Sequence, residues 1–119
     1  MKRVKDKLRR RSRRRLRVRK KIFGTADRPR ISIYKSNRNT YVQVVDDSKG
    51  VTIAAASNLE KELHEIKNNV KDIEKLGEIV GERLKKQKID RAVFDRNGYL
   101  YHGLVKAVAN GIRKSGILF

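Results

Sequence analysis

The sequence has no cysteine or tryptophan and a single proline in 119 residues. Without cysteine, a disulfide framework, a thiolate nucleophile and a zinc site built from thiolates are all excluded. No apolar run approaches the roughly 18–20 residues of a membrane-spanning helix, and the N-terminus lacks the apolar stretch of a signal peptide. These absences predict a soluble, cytosolic protein with no membrane partner.

Acidic residues are also scarce, since 13 Asp and Glu oppose 32 Lys and Arg, for a net charge of +19. Such an excess is more than solubility requires and predicts a polyanionic partner, with nucleic acid as the default candidate. Residues 1–21 carry 14 basic residues and one acid, or +13, whereas residues 22–119 carry 18 and 12, or +6. We therefore predict a basic arm over residues 1–21 and one folded domain over residues 22–119.

The arm contains no glycine or proline, so we expect it to be disordered alone and helical once its charges are neutralised. Its apolar residues Val4, Leu8 and Leu16 would form a stripe too thin to dock firmly on a core. A membrane-surface helix would need a broad apolar face with Trp or Phe, which the arm lacks. A solvated charge run without a partner is the other interpretation.

The first half of the domain shows the two-residue alternation of β-strands. Gly24 and Pro29 mark a hinge after the arm, and Ile31 and Ile33 then alternate with polar neighbours. Clusters of Asn, Asp, Ser and Gly predict turns between the apolar segments, which favours an antiparallel meander. The predicted strands are Arg30–Tyr34, Tyr41–Asp46 and Val51–Ala56.

The second half of the domain shows helical spacing. One predicted helix has its inward face at Val70, Ile73, Leu76, Val80 and Leu84, and a later one at Leu104, Val105, Val108 and Ile112, before Gly116. Gly77 and Gly81 predict close packing of the first helix on the sheet. Between the helices, Ala92–Asp95 reads as a buried strand. The predicted fold is therefore α/β, a mixed sheet of three antiparallel strands plus one parallel strand with two packed helices.

Three carboxylates, Asp46, Asp47 and Asp95, are placed where metal-assisted hydrolysis would need them, so a metal-dependent nuclease is one alternative. However, Asp46 and Asp47 fall in a predicted turn, where Asp bonds its local backbone, and Asp95 is followed by Arg96. Neither histidine has a sequence partner for a ligand pair or a triad, and no phosphate-binding glycine loop is present. We predict no catalysis, no metal, no cofactor and no small-molecule substrate.

Aromatic and basic residues interleave in two segments, which supplies both phosphate contacts and rings for stacking on bases. The two segments comprise Arg28, Arg30, Tyr34, Lys35, Arg38 and Tyr41, and then Arg96, Tyr99, Tyr101, His102 and Lys106. Arg30, Ser32 and Tyr34 are expected on one sheet face with Tyr41 and Gln43 across the hairpin, which suits an RNA-facing surface. A general basic nucleic-acid-binding protein is the second alternative.

The residues also resemble a known family. The segment Phe94-Asp-Arg-Asn-Gly-Tyr-Leu-Tyr-His-Gly103, with Arg28-Pro-Arg30 and Tyr34-Lys-Ser-Asn37, closely resembles the bacterial large-subunit ribosomal protein numbered eighteen. The resemblance spans essentially the whole chain. It implies a mixed-sheet domain likened to the ribonuclease H motif and a place in the cytoplasmic ribosome. It also implies binding to 5S rRNA, attachment of 5S rRNA to 23S rRNA in the central protuberance, and contact with neighbouring large-subunit proteins.

Carried over by position, the resemblance implies that the arm contacts phosphates while the hairpin and the last turn complete the RNA surface. In the arm the candidates are Arg9, Arg10, Arg11, Arg13, Arg14, Arg15, Arg17, Arg19, Lys20 and Lys21. In the domain they are Arg28, Arg30, Lys35, Ser36, Asn37, Arg38, Tyr41, Gln43, Arg96, Tyr99, His102 and Lys106.

Two positions depart from the family's pattern. Asn97 stands where the family usually has a second glycine, but Asn tolerates the left-handed conformation, so we expect the turn to survive. Leu104 stands where the family commonly has Arg, which removes one phosphate contact and shifts that role to Lys106.

Overall fold

The computed structural model describes residues 22–119 and, within the arm, Arg10 and Arg13, both of them helical and exposed. The other predicted arm contacts lie outside the described residues: Arg9, Arg11, Arg14, Arg15, Arg17, Arg19, Lys20 and Lys21. The strands are β1 (Arg30–Lys35), β2 (Thr40–Asp46), β3 (Val51–Ser57) and β4 (Val93–Asp95). The helices are α1 (Val70–Lys86) and α2 (Leu104–Lys114), preceded by a 3₁₀ turn at Lys61–Leu63.

The four strands form one sheet in the order β3-β2-β1-β4. Short turns join β1 to β2 and β2 to β3, and both pairs are antiparallel. β4 pairs in parallel with β1, from Arg30 beside Val93 to Ser32 beside Asp95, because helix α1 carries the chain back across the sheet before β4 begins. The predicted mixed sheet of three antiparallel strands and one parallel strand is confirmed, as are its two packed helices.

Both helices cover the same face of the sheet, and the hydrophobic core lies between them and it. Alternation along β1 and β2 directs Ile31, Ile33, Val42 and Val44 into this layer, where each is almost fully buried. The facing residues of the helices are also buried, and they comprise Ile73, Leu76, Val80, Leu84, Val105, Val108 and Ile112. The intervening strand residues, Ser32 and Tyr34 among them, therefore lie on the opposite face of the sheet, which we call the open face because neither α1 nor α2 covers it.

One residue of the predicted inward face is placed differently. Val70 is 55% exposed, although its spacing to Ile73 fits the buried stripe. It is the first residue of α1, directly after the N-cap Asn69, whose side chain accepts a hydrogen bond from the backbone of Asp72. The start of α1 is therefore exposed to solvent at Val70, and the buried stripe of α1 begins at Ile73.

The glycines of α1 pack against α2 and not, as predicted, against the sheet. A methyl group at Gly77 would overlap the carbonyl oxygen of Val108 and lie 3.0 Å from the Cα of Gly111, and one at Gly111 would overlap the carbonyl oxygen of Glu74. At Gly81 the added group would overlap the side chain of Ser115. Small residues on both helices thus let their backbones approach closely, which the spacing on α1 alone could not distinguish from packing on strands.

We expect Gly111→Ala to lower the free energy of unfolding by about 1–3 kcal/mol, because the added methyl group meets a backbone atom of α1 and forces the helices apart. The gain of up to ~1 kcal/mol in helix propensity should not offset this strain. Urea denaturation of the purified protein measures the difference. Asn110→Ala, at the exposed neighbouring position of α2, is the control, and equal stability of the two variants would contradict the close-packing interpretation.

Candidate nucleic-acid interface

The tip of the β1–β2 hairpin, residues 36–39, is held by a side chain from a distant segment. The backbone N–H of Ser36 donates to the carbonyl of Asn39 over 2.8 Å, which closes the turn. Asn68, in the loop before α1, donates from Nδ2 to the carbonyls of Ser36 and Asn37 at 3.1 and 3.2 Å. Its Oδ1 accepts the hydroxyl hydrogen of Thr40 over 2.6 Å. The side chain of Asn68 therefore fixes the backbone of the hairpin tip to the loop before α1.

A second asparagine braces the other side of the same tip. Asn58, which is buried, accepts from the backbone N–H of Thr40 over 3.1 Å and donates to the carbonyl of Arg38 over 3.4 Å. Sequence reasoning missed both Asn58 and Asn68, since they lie in a polar stretch without periodicity. Together they orient a hairpin tip that carries the candidate contact Arg38 and directly follows Lys35, the last residue of β1.

The open face of the sheet carries the predicted polar and aromatic surface. Tyr34 lies directly across from Tyr41, and Ser32 across from Gln43, so the predicted sharing of one face is confirmed. The two tyrosine rings have their centroids 6.3 Å apart at an angle of 54°, and their side chains are 54% and 36% exposed. With Asn97, these four residues line a shallow depression of about 500 Å³.

The turn between β4 and α2 forms as predicted despite the substitution of Asn97 for glycine. Asn97 has φ 53° and Gly98 φ 78°, both in the left-handed region. The backbone N–H of Asn97 donates to Oδ1 of Asp95 over 2.8 Å, and its side-chain amide donates to the carbonyl of Ile33 over 3.2 Å. The second bond ties the turn to β1 beyond the end of β4, which glycine could not do.

Tyr99 anchors this turn to the hairpin. Its hydroxyl accepts from the backbone N–H of Lys35 over 3.2 Å and donates to the carbonyl of Lys35 over 3.1 Å. The ring is half-buried against the core, with Nζ of Lys35 5.4 Å from its centroid. This geometry favours a positioning role over the base stacking expected for Tyr99, whereas the neighbouring His102 and Lys106 are exposed.

Arg30 was expected to contact phosphates, but its guanidinium is committed within the domain. It forms a two-bond pair with Asp47, at 2.9 and 3.1 Å, and an ion pair with Asp95 at 2.9 Å. Its side chain is 13% exposed. Burial alone would lower the pKa of Arg30, but the hydrogen bonds and charges of Asp47 and Asp95 raise it above its ordinary value. Arg30 is therefore a charged structural link from β1 to the turn after β2 and to β4.

The carboxylates considered for a nuclease have structural partners. Oδ1 of Asp46 accepts from the backbone N–H of its near neighbour Ser48 over 3.0 Å, as expected for a turn. Asp47 and Asp95 share Arg30, so the partner of Asp95 is not the adjacent Arg96 that the sequence suggested. Within the described residues, no three His, Asp or Glu side chains are grouped to hold a metal ion. The carboxylates thus organise the fold.

Two cations on the helices, Arg83 and Lys114, form ion pairs within the domain. Arg83 pairs with Glu60 at 3.1 Å, and its hydrogen bond lowers the pKa of Glu60 below its ordinary value. Lys114 pairs with Glu74 at 3.1 Å, which raises the pKa of Lys114. By contrast, four predicted contacts have no ion-pair partner among residues 22–119: Arg28, Arg38, Arg96 and Lys106.

Neither α1 nor α2 has the length and apolar character needed to cross a membrane.

Comparison with known proteins gives the family. The model of a family described as ribosomal L18 of archaea, bacteria, mitochondria and chloroplast matches residues 5–119. The chain belongs to the ribosomal L18 family. A protein of Treponema denticola called large ribosomal subunit protein uL18 is 55% identical over 114 residues, which cover 96% of this chain and 95% of the relative.

Two further relatives carry the same name. The Clostridium perfringens protein is 50% identical over 115 residues, covering 96% of each chain. The Borrelia hermsii protein is 48% identical over 118 residues, covering 98% of each chain. The predicted family and the predicted place in the cytoplasmic ribosome are thereby confirmed.

Membership in the ribosomal L18 family decides between the function classes. The chain is a non-enzymatic protein of the large ribosomal subunit, so the nuclease alternative is wrong. The same assignment gives the protein rRNA and other ribosomal proteins as partners, in place of the alternative that it binds nucleic acids in general. Cations without an ion-pair partner in the described domain and a polar sheet face are compatible with such an RNA partner.

Proposed function

We propose that this ribosomal L18 protein binds 5S rRNA and helps attach it to 23S rRNA in the central protuberance, beside neighbouring large-subunit proteins. The observation that carries the proposal is the braced hairpin, whose cations lack ion-pair partners within the described domain and lie beside an open polar sheet face. A rigid, basic surface of this kind can read the shape of an RNA and its unstacked bases.

The proposal divides the work between two parts of the chain. Residues 1–21, the arm, hold +13 of the +19 charge and would contact phosphates, which carry little sequence information. Residues 22–119, the domain, would supply discrimination through side chains held at fixed positions. The hydrogen bonds that Asn58, Asn68 and Tyr99 make to the hairpin backbone support this second role.

The geometry narrows the candidate contacts in the domain. Arg30 and Tyr99 are left out, because their polar groups already bind other parts of the fold. Leu104 is half-buried against the core, which leaves Lys106 as the exposed cation at the start of α2. The proposed domain contacts are Arg28, Lys35, Ser36, Asn37, Arg38, Tyr41, Gln43, Arg96, His102 and Lys106.

Lys106→Ala tests the surface against a matched control on the same helix. If Lys106 neutralises one phosphate, its loss should weaken binding to 5S rRNA and reduce the slope of log affinity against log salt by about 1. Lys114→Ala removes the same charge from α2, but Lys114 is engaged with Glu74 and Glu78, so the slope should not change. Titrations of the full-length proteins at several salt concentrations measure both slopes.

The choice of 5S rRNA is tested by competition at one fixed salt concentration. Full-length protein should prefer 5S rRNA to an unrelated RNA and to DNA of the same length, because the domain reads RNA shape and unpaired bases. Equal affinity for the DNA would instead support a basic protein without RNA specificity.

In the salt titrations, equal slopes of log affinity against log salt for Lys106→Ala and Lys114→Ala would remove Lys106 from the interface.

A further inference from the structure

The depression on the open sheet face has an electrically neutral lining. Ser32, Tyr34, Tyr41, Gln43 and Asn97 form its walls and floor, and none of them is charged. The nearest carboxylate in the sheet register, Asp95 beside Ser32, is fully buried and bonded to Arg30 and to the backbone of Asn97. A ligand in this depression therefore meets aromatic rings and neutral polar groups.

The lining also has polar atoms available to a ligand. The side chains of Ser32 and Gln43 make no hydrogen bond to any residue that the structure describes, and Nδ2 of Asn97 is committed to Ile33, which leaves its Oδ1. A hydroxyl, a primary amide and a carbonyl oxygen together provide donors and acceptors. The small side chain of Ser32, between Arg30 and Tyr34 on the same face, leaves room for the ligand.

We infer that this depression is the binding site of one unstacked nucleobase of the rRNA, with the base lying on the exposed face of Tyr34 or Tyr41 and its edge toward Ser32, Gln43 and Asn97. The inference rests on the proposed function and deepens it, since it adds a site for one base to a surface otherwise described by its cations. Every base has a flat face for stacking and a polar edge for hydrogen bonds.

The charges around the depression favour a base over other occupants. A phosphate would be expected against cations, but the lining has none, whereas Lys35 and Arg38 follow Tyr34 in the adjoining hairpin and Arg96 precedes Asn97 in the turn. These cations are placed to hold the phosphates on either side of an inserted nucleotide. An apolar protein side chain would leave the polar atoms of Ser32 and Gln43 without partners, which is unfavourable.

The absence of tryptophan from the sequence provides a direct optical test. Tyr34→Trp places a single indole in the depression, and 5S rRNA should quench its fluorescence, because a base stacked on the ring provides a path for quenching. Leu59→Trp is the matched control, since Leu59 is similarly exposed, at 56% against 54% for Tyr34, but lies in the loop after β3. Its fluorescence should change little on binding of the same RNA.

The aromatic requirement is tested by affinity for 5S rRNA in the full-length chain. Tyr34→Leu keeps an apolar side chain but removes the ring, and it should weaken binding by about 5- to 150-fold if Tyr34 provides the stacking face. Tyr34→Phe keeps the ring and should bind within about twofold of the unchanged protein. The same pair of substitutions at Tyr41 identifies which ring carries the base.

The outcomes separate this inference from the proposed function. Quenching confined to the Tyr34→Trp protein, together with a loss of affinity in a leucine variant and not in its phenylalanine counterpart, supports the base site. If 5S rRNA binds the Tyr34→Trp protein without quenching its indole, and all four leucine and phenylalanine variants bind alike, the base site is overturned and the proposed function stands. If the unchanged protein shows no preference for 5S rRNA, the proposed function itself fails and the base site with it.

Discussion

Deletion of residues 1–21 is expected to weaken binding to 5S rRNA by orders of magnitude at low salt, because the arm holds +13 of the total charge of +19. For the full-length chain, neutralisation of ~6–8 phosphates should make the affinity fall about 10³-fold or more between 50 and 200 mM salt. The truncated chain should show a much shallower slope of log affinity against log salt. Titrations of both proteins over that salt range measure the two slopes.

The same truncation should leave the fold and the preference for 5S rRNA in place. The core residues of the described structure all come from positions after residue 30, Ile31 being the first, so the free energy of unfolding should change little. Binding to 5S rRNA and to an unrelated RNA should weaken alike, since phosphate contacts are shared by both. If truncation abolishes the preference for 5S rRNA, the arm is the specificity element and the proposed division of roles is reversed.

Replacement of Arg30 by methionine is expected to have the largest effect on stability of any single substitution considered. Arg30→Met keeps an unbranched side chain but leaves the side chains of Asp95 and Asp47, 1% and 9% exposed, without their shared cation. Removing one partner of a buried ion pair costs about 3–5 kcal/mol, because the remaining charge stays desolvated. Urea denaturation at neutral pH should show the loss.

Two further variants test whether the loss of stability in Arg30→Met comes from the buried charges. Arg83→Met breaks the more exposed pair with Glu60, at 31% and 38% exposure, and should cost about 1 kcal/mol or less. The double variant with Arg30→Met and Asp95→Asn should recover part of the lost stability, since it removes the buried charge of Asp95, whose side chain is 1% exposed. An Arg30→Met protein as stable as the Arg83→Met protein would show that the central pair contributes no more than a surface one.

The same group of charges also fastens the start of the described domain. Asp47 accepts from the backbone N–H of Gly24 over 2.8 Å while it holds Arg30, and a methyl group at Gly24 would overlap the backbone nitrogen of Arg30. The start of the domain is thus fastened to β1 and to the turn after β2. Asp47 therefore joins Gly24 to Arg30, and the guanidinium of Arg30 is bonded within the fold.

Much of the fold could be predicted because it depends on local patterns. The alternation around Ile31 and Ile33 and the helical spacing from Ile73 to Leu84 depend on neighbours a few residues away, and burial of one face follows directly. The sequence also determined the charge of the arm and the left-handed turn at Asn97, since a small polar side chain tolerates that conformation. The resemblance around Phe94–Gly103 identified the family on residues that are visible in the chain alone.

The tertiary structure alone decided which polar groups remain available to a partner. Arg30 and Asp95 are 65 residues apart in the chain, Tyr99 is 64 residues from Lys35, and Asn68 is 32 residues from Ser36. No periodicity links such positions, so a cation bonded within the domain looks in sequence like one free to contact RNA. Folding bonded Arg30 and Tyr99 to distant parts of the domain and brought α1 and α2 together at their glycines, because each of these contacts depends on a partner far away in the sequence.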